Sequence, residues 1–561
     1  MNKKSFINDI LLWCIIGTIL FVLIKYGFKS YNYKDLNNKI ILDYTALPYY
    51  SMLSTIRILI GLIFSFIITF IFGTMAAKYK SFERVILPLV NFMESIPLVG
   101  FLTFSTVFFI ALFPHNIIGL EISAIFGVFT GQVWNMILIF YQTLKIIPND
   151  IIDSSKIFYH NSWQRFWKIE CPFSMPGLLW NIMVSQSAAW FAILATEAIP
   201  VKTRTVELPG VGSFMAEALL QANVHAIIYS ILAIVINIIL LDQILFKPLV
   251  CWMSKFKYED TVSLHKSKSI FYNIIINSYQ HKFIIKSWDS LSDFIVYYLP
   301  NKISKIKFFK FTLNNTIKNL IEILWYAFIF AICIYYGFKL WAIIPKIDLV
   351  KMPTLMLLSG IRVFIAIFLS ILIFLPLGIW IGLNPKALNF FQPIIQILAA
   401  LPVNLLYPLV AIFLISYKPN LGIISIFLIM LGTQWYILFN VIAGASSIPD
   451  NLLEVSKLFN VKGIMWWKKF IIPAIFPYMV TGIIAAAGGA WNAVVVSELI
   501  VWGDHVEETV GLGSYIQSHS TNSGLAQAAL GCTVMSIMVG FCIIFIWNPL
   551  YKIAENKYKL D

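Results

Sequence analysis

Two stretches of this chain, Ile147–Pro176 and Ile448–Pro477, are ungapped copies of one another set 301 positions apart. Pro148 returns as Pro449, Asp153 as Glu454, Lys156 as Lys457, Phe158 as Phe459, and Pro172 with Pro176 as Pro473 with Pro477. The copying reaches further. Gly131 and Trp134 return as Gly432 and Trp435, and Trp190, Glu197, Gly210 and Gly212 as Trp491, Glu498, Gly511 and Gly513. Upstream the offset becomes 305: Arg57, Ser65, Gly73, Pro88 and Pro97 match Arg362, Ser370, Gly378, Pro393 and Pro402. Repetition in one order over most of two halves is a parallel tandem duplication, so both halves must take the same fold.

The chain is 59% hydrophobic and only 12% charged, about half the charge of a soluble domain. Apolar runs of roughly 20 residues recur, the length at which a helix crosses a bilayer. Strands of a membrane barrel would be shorter and alternate in polarity, which these runs do not. The net charge of +14 fits loop Lys and Arg that orient membrane helices better than nucleic-acid binding. Six scattered cysteines (Cys14, Cys171, Cys251, Cys333, Cys532, Cys542) form no Cys-x-x-Cys pair, so neither a metal site nor a disulfide framework is indicated.

The pattern predicts crossings near 10–28, 57–77, 85–113, 117–147, 173–199 and 224–250, and again near 321–344, 361–383, 394–415, 421–445, 474–501 and 525–551. The expected architecture is an all-helical integral membrane protein with two tandem six-helix domains, residues 1–255 and 315–561. Between them lies a basic linker, 256–314. An even number of crossings per half lets both copies insert the same way. Eleven Lys against four Asp or Glu gather in Ser254–Lys318, and the positive-inside bias then puts both termini, the linker and both repeated loops in the cytoplasm. The linker reads as a basic segment lying on anionic lipid, or as a regulatory contact.

Each repeated loop is a polar island: an acid, two further residues, an aromatic-basic cluster, then Pro-x-x-x-Pro. This resembles the Glu-Ala-Ala loop of ABC importer permeases, here Asp153-Ser154-Ser155 with Lys156, and Glu454-Val455-Ser456 with Lys457. The glycine of that loop is replaced by Tyr159 or Asn460, of which only Asn readily takes a left-handed turn. Each loop is expected to form a short surface helix. Proline suits a helix's first turn, and an early acid favours the positive end of the helix. The runs from Arg57 to Gly73 and from Arg362 to Gly378, with Trp190–Glu197 and Trp491–Glu498 ahead of Gly-x-Gly, are similar to the nitrate/sulfonate/bicarbonate and taurine permeases. That resemblance implies a duplicated permease that imports a small anion into bacteria across the inner membrane. It also implies two cytoplasmic ATPase subunits and an external solute-binding protein. No phosphate-cradling Gly-x4-Gly-Lys-Ser/Thr string occurs, so ATP is expected on the partner and no cofactor on this chain. The alternatives are a gradient-driven secondary transporter and a membrane enzyme; the latter would need an acid–base or metal constellation, and none is apparent.

Polar residues within apolar helices turn inward. Gln132, Trp134, Asn135, Gln186, Trp190, Gln434, Trp435, Trp491 and Asn492 are therefore expected to line a pathway or to bond helices together. Glu197 and Glu498 fall about 30 Å of helix beyond the loops, near the outer interface. There they would be solvated or paired, with Lys202 or Arg204 in reach, or stand at the mouth of the pathway. Gly482, Gly488 and Gly489 read as points of close helix packing.

Overall fold

The computed structural model describes residues 40–253, 270–277 and 346–557, with short interruptions, and isolated positions between 327 and 335. The first predicted crossing of each half lies wholly or almost wholly outside the described residues, as do most of the linker and Tyr159. The first half runs α1 (Leu47–Lys78), α2 (Lys80–Ser95), α3 (Leu98–Leu112), α4 (Ile118–Lys145), α5 (Asn149–Phe158) and α6 (Cys171–Glu197). A hairpin of β1 (Pro200–Val201) and β2 (Arg204–Thr205) follows, then α7 (Val211–Leu220) and α8 (Val224–Leu241). After a short linker helix, α9 (Ile270–Asn277), the second half repeats the order. It comprises α10 (Lys346–Leu383), α11 (Pro385–Ala400), α12 (Leu421–Ser446), α13 (Asp450–Leu458), α14 (Ile472–Ser497), the β3–β4 hairpin (Leu499–Trp502 with His505–Glu508), α15 (Leu512–Thr521) and α16 (Leu525–Cys542).

Among the described residues seven helices are long and apolar enough to cross a membrane, or eight if the bent run that ends in α6 counts as one span. The third predicted crossing of each half is not a continuous helix. In the first, α2 ends at Ser95 and α3 begins at Leu98, with Pro97 between them in the sequence. In the second, α11 ends and Leu401 turns extended (φ −72°, ψ 120°) ahead of Pro402. A proline ring forces its predecessor out of the helical region, which explains the break. The predicted start at Arg57 is also corrected, because α1 begins ten residues earlier and Arg57 lies buried within it.

Proline leaves a second mark. A one-turn π-helix precedes Pro172 (Phe166–Glu170), Pro248 (Asp242–Phe246), Pro473 (Trp467–Ile471) and Pro549 (Ile543–Trp547). In all four the carbonyl that the ring would strike, four residues back, belongs to that wider turn. The helix absorbs the proline without breaking. Through these turns α8 continues to Met253 and α16 to Lys557.

Each half is built on three packed helices, α1, α4 and α6 in the first and α10, α12 and α14 in the second, with Trp190 and Trp491 buried in their cores. Close approach depends on matched glycines. A Cβ on Gly73 would lie 2.5 Å from the Phe140 ring, and one on Gly378 would lie 2.7 Å from Val441. At the ends of α2 and α4 the halves differ. Tyr141 donates a hydrogen bond to Glu83 at 2.6 Å and Lys145 pairs with the same carboxylate at 3.2 Å, whereas the equivalent positions Leu388 and Ile442 pack in an apolar cluster. The halves lie side by side in the same direction, α6 against α11 and α14 against α3, with Trp180 edge-on to Phe439.

Candidate functional site

The repeated motifs meet in space at the far ends of α6 and α14 from the repeated loops. In the first half Glu197 is wholly buried. Its carboxylate accepts hydrogen bonds from Ser54 Oγ (2.6 Å), Arg57 Nη1 (2.7 Å) and the Gly212 backbone N–H (2.8 Å). Ser54 in turn accepts from the Val211 N–H at 3.1 Å. Arg57 also makes a bidentate pair with Glu121, both bonds 2.7 Å, and donates to the Pro209 carbonyl at 2.8 Å. Gly210 is required because any Cβ there would overlap the Glu197 carboxylate.

The second half repeats the arrangement. Glu498, also wholly buried, accepts from Ser359 Oγ (2.7 Å), Arg362 Nη1 (2.5 Å) and the N–H groups of Gly513 (2.8 Å) and Ser514 (3.3 Å). Position 422, equivalent to Glu121, is a glycine beside Arg362. The free arm of Arg362 instead donates to Thr509 Oγ1 and the Val510 carbonyl, each at 3.0 Å. Of the alternatives for the two glutamates, the structure shows pairing, with Arg57 and Arg362, and not solvation or an open place at a mouth. Each is sealed inside a Ser–Arg–Glu–Gly lock that ties α1 to α6 and α7, or α10 to α14 and α15. Arg204, a proposed partner, lies on β2, and Lys202 is outside the described residues. Burial explains why: a carboxylate in a dry site is stable only when paired and fully hydrogen-bonded.

Between the halves lies a cavity of about 140 Å³. Of the expected pathway residues it brings together Trp134, Asn135, Trp435 and Asn492. Asn492 also joins the halves, because its Oδ1 accepts the Leu98 N–H at the start of α3, a donor that no helical carbonyl can reach. Gln132, Gln186, Trp190, Gln434 and Trp491 do not line the cavity and are buried. Gln186 looks into a separate void of about 20 Å³ beside Asp242, large enough for a water. Gly482 and Gly489 do mark close packing, against Asn440 and Tyr436. Gly488 does not: no atom lies within 4 Å of a Cβ placed there, and it lines the cavity. Ser187, beside Gln186 on the same polar stretch of its helix, also lines it as expected of a pathway residue, whereas Glu94 and Tyr436 line it and were missed from sequence. An acid inside the predicted crossing 85–113 was the available signal for Glu94.

At the other ends of α6 and α14 both repeated loops form the expected short helices, α5 and α13. Asp153, Ser154, Glu454, Val455 and Lys457 are exposed, and Ser155 and Ser456 turn inward. The Lys156 side chain lies outside the described residues. Ile157, Leu458 and Phe459 are 77%, 84% and 78% exposed. Asn460 takes the left-handed turn (φ +51°) that ends α13. The N–H groups of Asn460 and Val461 donate back to the carbonyls of Lys457 and Ser456, the bonds of a glycine-type helix stop.

A duplicated membrane bundle with paired loop helices and a shared central cavity is the form of a transport permease, and family comparison agrees. The chain belongs to the family of binding-protein-dependent transport system inner membrane components, whose domain it carries twice, at residues 69–246 and 374–559. It is 26% identical over 184 residues to the nitrate import permease of Synechocystis, covering 32% of this chain and 63% of that protein. To the bicarbonate transport permease of Synechocystis it is 30% identical, over 25% of this chain and 46% of that protein. These matches span less than two thirds of either relative. The trimethylamine N-oxide transport permease of Pelagibacter ubique is 23% identical over 88% of this chain and 69% of its own length.

Proposed function

We propose that this chain is the transmembrane subunit of an ATP-driven importer in a bacterial inner membrane, moving a small polar solute into the cytoplasm through the interface between its halves. Two cytoplasmic ATPase subunits would dock on α5 and α13, and an external solute-binding protein would deliver the solute at the opposite face. Both termini would be cytoplasmic. The observation that carries this reading is the matched pair of short helices, one per half, that hold bare apolar side chains beside an exposed acid. Apolar side chains left open at such a helix suit a partner surface better than a plain connection. The resemblance and the relatives named for nitrate and bicarbonate support an anionic solute. The relative named for trimethylamine N-oxide supports a dipolar, nitrogen-bearing one, which the cavity's chemistry favours.

The test is reconstitution. ATPase subunits should copurify with the full chain, and uptake into proteoliposomes should need ATP and survive collapse of proton and sodium gradients. Glu454→Lys should leave protein level unchanged and abolish uptake through loss of ATPase binding, and Asp153→Lys should do likewise. Gradient-driven uptake by the chain alone would support a secondary transporter instead.

A further inference from the structure

The cavity's electrostatics point away from a bare anion. Among the described residues lining it Glu94 is the only acid, and there is no Lys, Arg or His. No basic side chain forms an ion pair with Glu94 among the described residues; its hydrogen bond comes from the Asn135 amide. The position equivalent to Glu94 in the second half is Ala399, which lines the facing wall, so the duplication supplies no second carboxylate. Around this one charge stand the aromatic residues Trp134, Trp435, Tyr436 and Phe191. Elsewhere the chain pairs its buried acids: Glu197 and Glu498 each have an arginine and several other donors. An acid left without a counter-ion in a membrane interior is costly, and it marks a place where function supplies the missing charge.

Resting on the reading of this interface as a solute pathway, we infer that the cavity receives the positively charged nitrogen of a small solute, an ammonium or N-methylated ammonium group. Glu94 is its counter-charge and the four aromatic side chains are its walls. Aromatic faces attract such a cation through their quadrupole, most strongly where water is excluded. An anion entering alone would meet a like charge with no basic group to offset it. The volume suits a small head group: a cavity of about 150 Å³ takes up benzene. The polar groups sit unevenly, with Glu94, Thr130, Asn135 and Ser187 from one half and Tyr436 and Asn492 from the other, and the charge on one side alone. A dipolar solute would therefore have one preferred orientation.

The test uses the full chain in lipid nanodiscs and the methyl protons of tetramethylammonium, read by saturation-transfer NMR, with sodium nitrate as competitor. Wild type should bind tetramethylammonium, and nitrate should not displace it. Glu94→Gln should weaken binding about tenfold or more, and Trp435→Leu several-fold with the carboxylate intact. Glu94→Asp should retain most of the binding, and so should Glu508→Gln, an exposed hairpin acid. If Glu94→Gln fails to fold, Trp435→Leu and Glu94→Asp decide. No binding by wild type, displacement by nitrate, or unchanged affinity in folded Glu94→Gln and Trp435→Leu would each overturn the assignment. ATP-dependent nitrate uptake would overturn it too while leaving the importer reading standing.

Discussion

The two locks at the ends of α6 and α14 remote from the repeated loops are near copies, whereas the two walls of the central cavity are not. Ser54, Arg57, Glu197 and Gly212 meet as Ser359, Arg362, Glu498 and Gly513 do. Across the cavity Glu94 stands opposite Ala399, Asn135 pairs by duplication with Tyr436, Ser187 with Gly488, and Phe191 with Asn492. A lock serves only its own half, so the same solution works twice. The walls share one space and one occupant, and symmetry there would place identical groups on both sides of an asymmetric molecule.

The locks also differ from each other in a way that predicts the largest effect. Arg57 serves two carboxylates and its side chain is 3% exposed, while Arg362 serves one and is 12% exposed. Arg57→Leu would leave Glu121 and buried Glu197 without their cation, a loss of about 3–5 kcal/mol for a broken buried pair. Arg362→Leu leaves Glu498 with Ser359 and two backbone N–H donors in place and should cost less. Thermal unfolding of the purified variants, with membrane levels, reads the difference. Equal losses would mean that Glu121 contributes nothing to the first lock.

The locks show what the sequence made legible and what it did not. Their members were all visible as repeated residues, and the shift from an offset of 305 to one of 301 separates Arg57 from Glu197. Nothing in the linear pattern says that a residue of α1 and one of α6 meet, since that contact depends on how helices pack. The linear pattern offers Glu197 only nearby Lys202 or Arg204 as a partner. The order of elements, the duplication and the helices α5 and α13 were readable, because hydrophobic run length and proline placement act locally. The broken third crossing was hidden because apolar composition continues across Pro97 and Pro402. The cavity was half legible: polar residues on apolar helices turn inward, but whether they reach the interface or stay within a half follows from helix rotation. That separates Asn135 from Gln132, three positions away.

The glycines test the cavity against the packing around it. Gly488→Val projects into open space and should leave unfolding temperature and expression near wild type while abolishing uptake. Gly489→Val must press on the Tyr436 ring, 3.1 Å from a Cβ there, and should lower stability by about 1–3 kcal/mol, the usual cost of overpacking. Thermal scans and uptake on the same preparations separate the two. A destabilised Gly488→Val with Gly489→Val unaffected would reverse the assignment of which of these two cavity-lining glycines is closely packed.

The smallest effect concerns the stop of α13. Asn460 holds a left-handed conformation (φ +51°), and the returning N–H groups of Asn460 and Val461 close that helix end. A β-branched residue in this region carries a steric penalty of about 1–2 kcal/mol, whereas glycine carries none. Asn460→Val should therefore open the turn, and hydrogen exchange at the Asn460-position and Val461 amides should quicken about tenfold, since 1.4 kcal/mol is a factor of ten. Asn460→Gly should protect both amides at least as well as wild type. The variant chains should reach wild-type levels, because the turn is exposed and touches no core cluster. Slower uptake by Asn460→Val, with Asn460→Gly normal, would show that the geometry of this stop matters to transport. Unchanged exchange in Asn460→Val would mean that the helix end is held by something other than the left-handed turn, and the comparison with the Tyr159 copy would lose its basis.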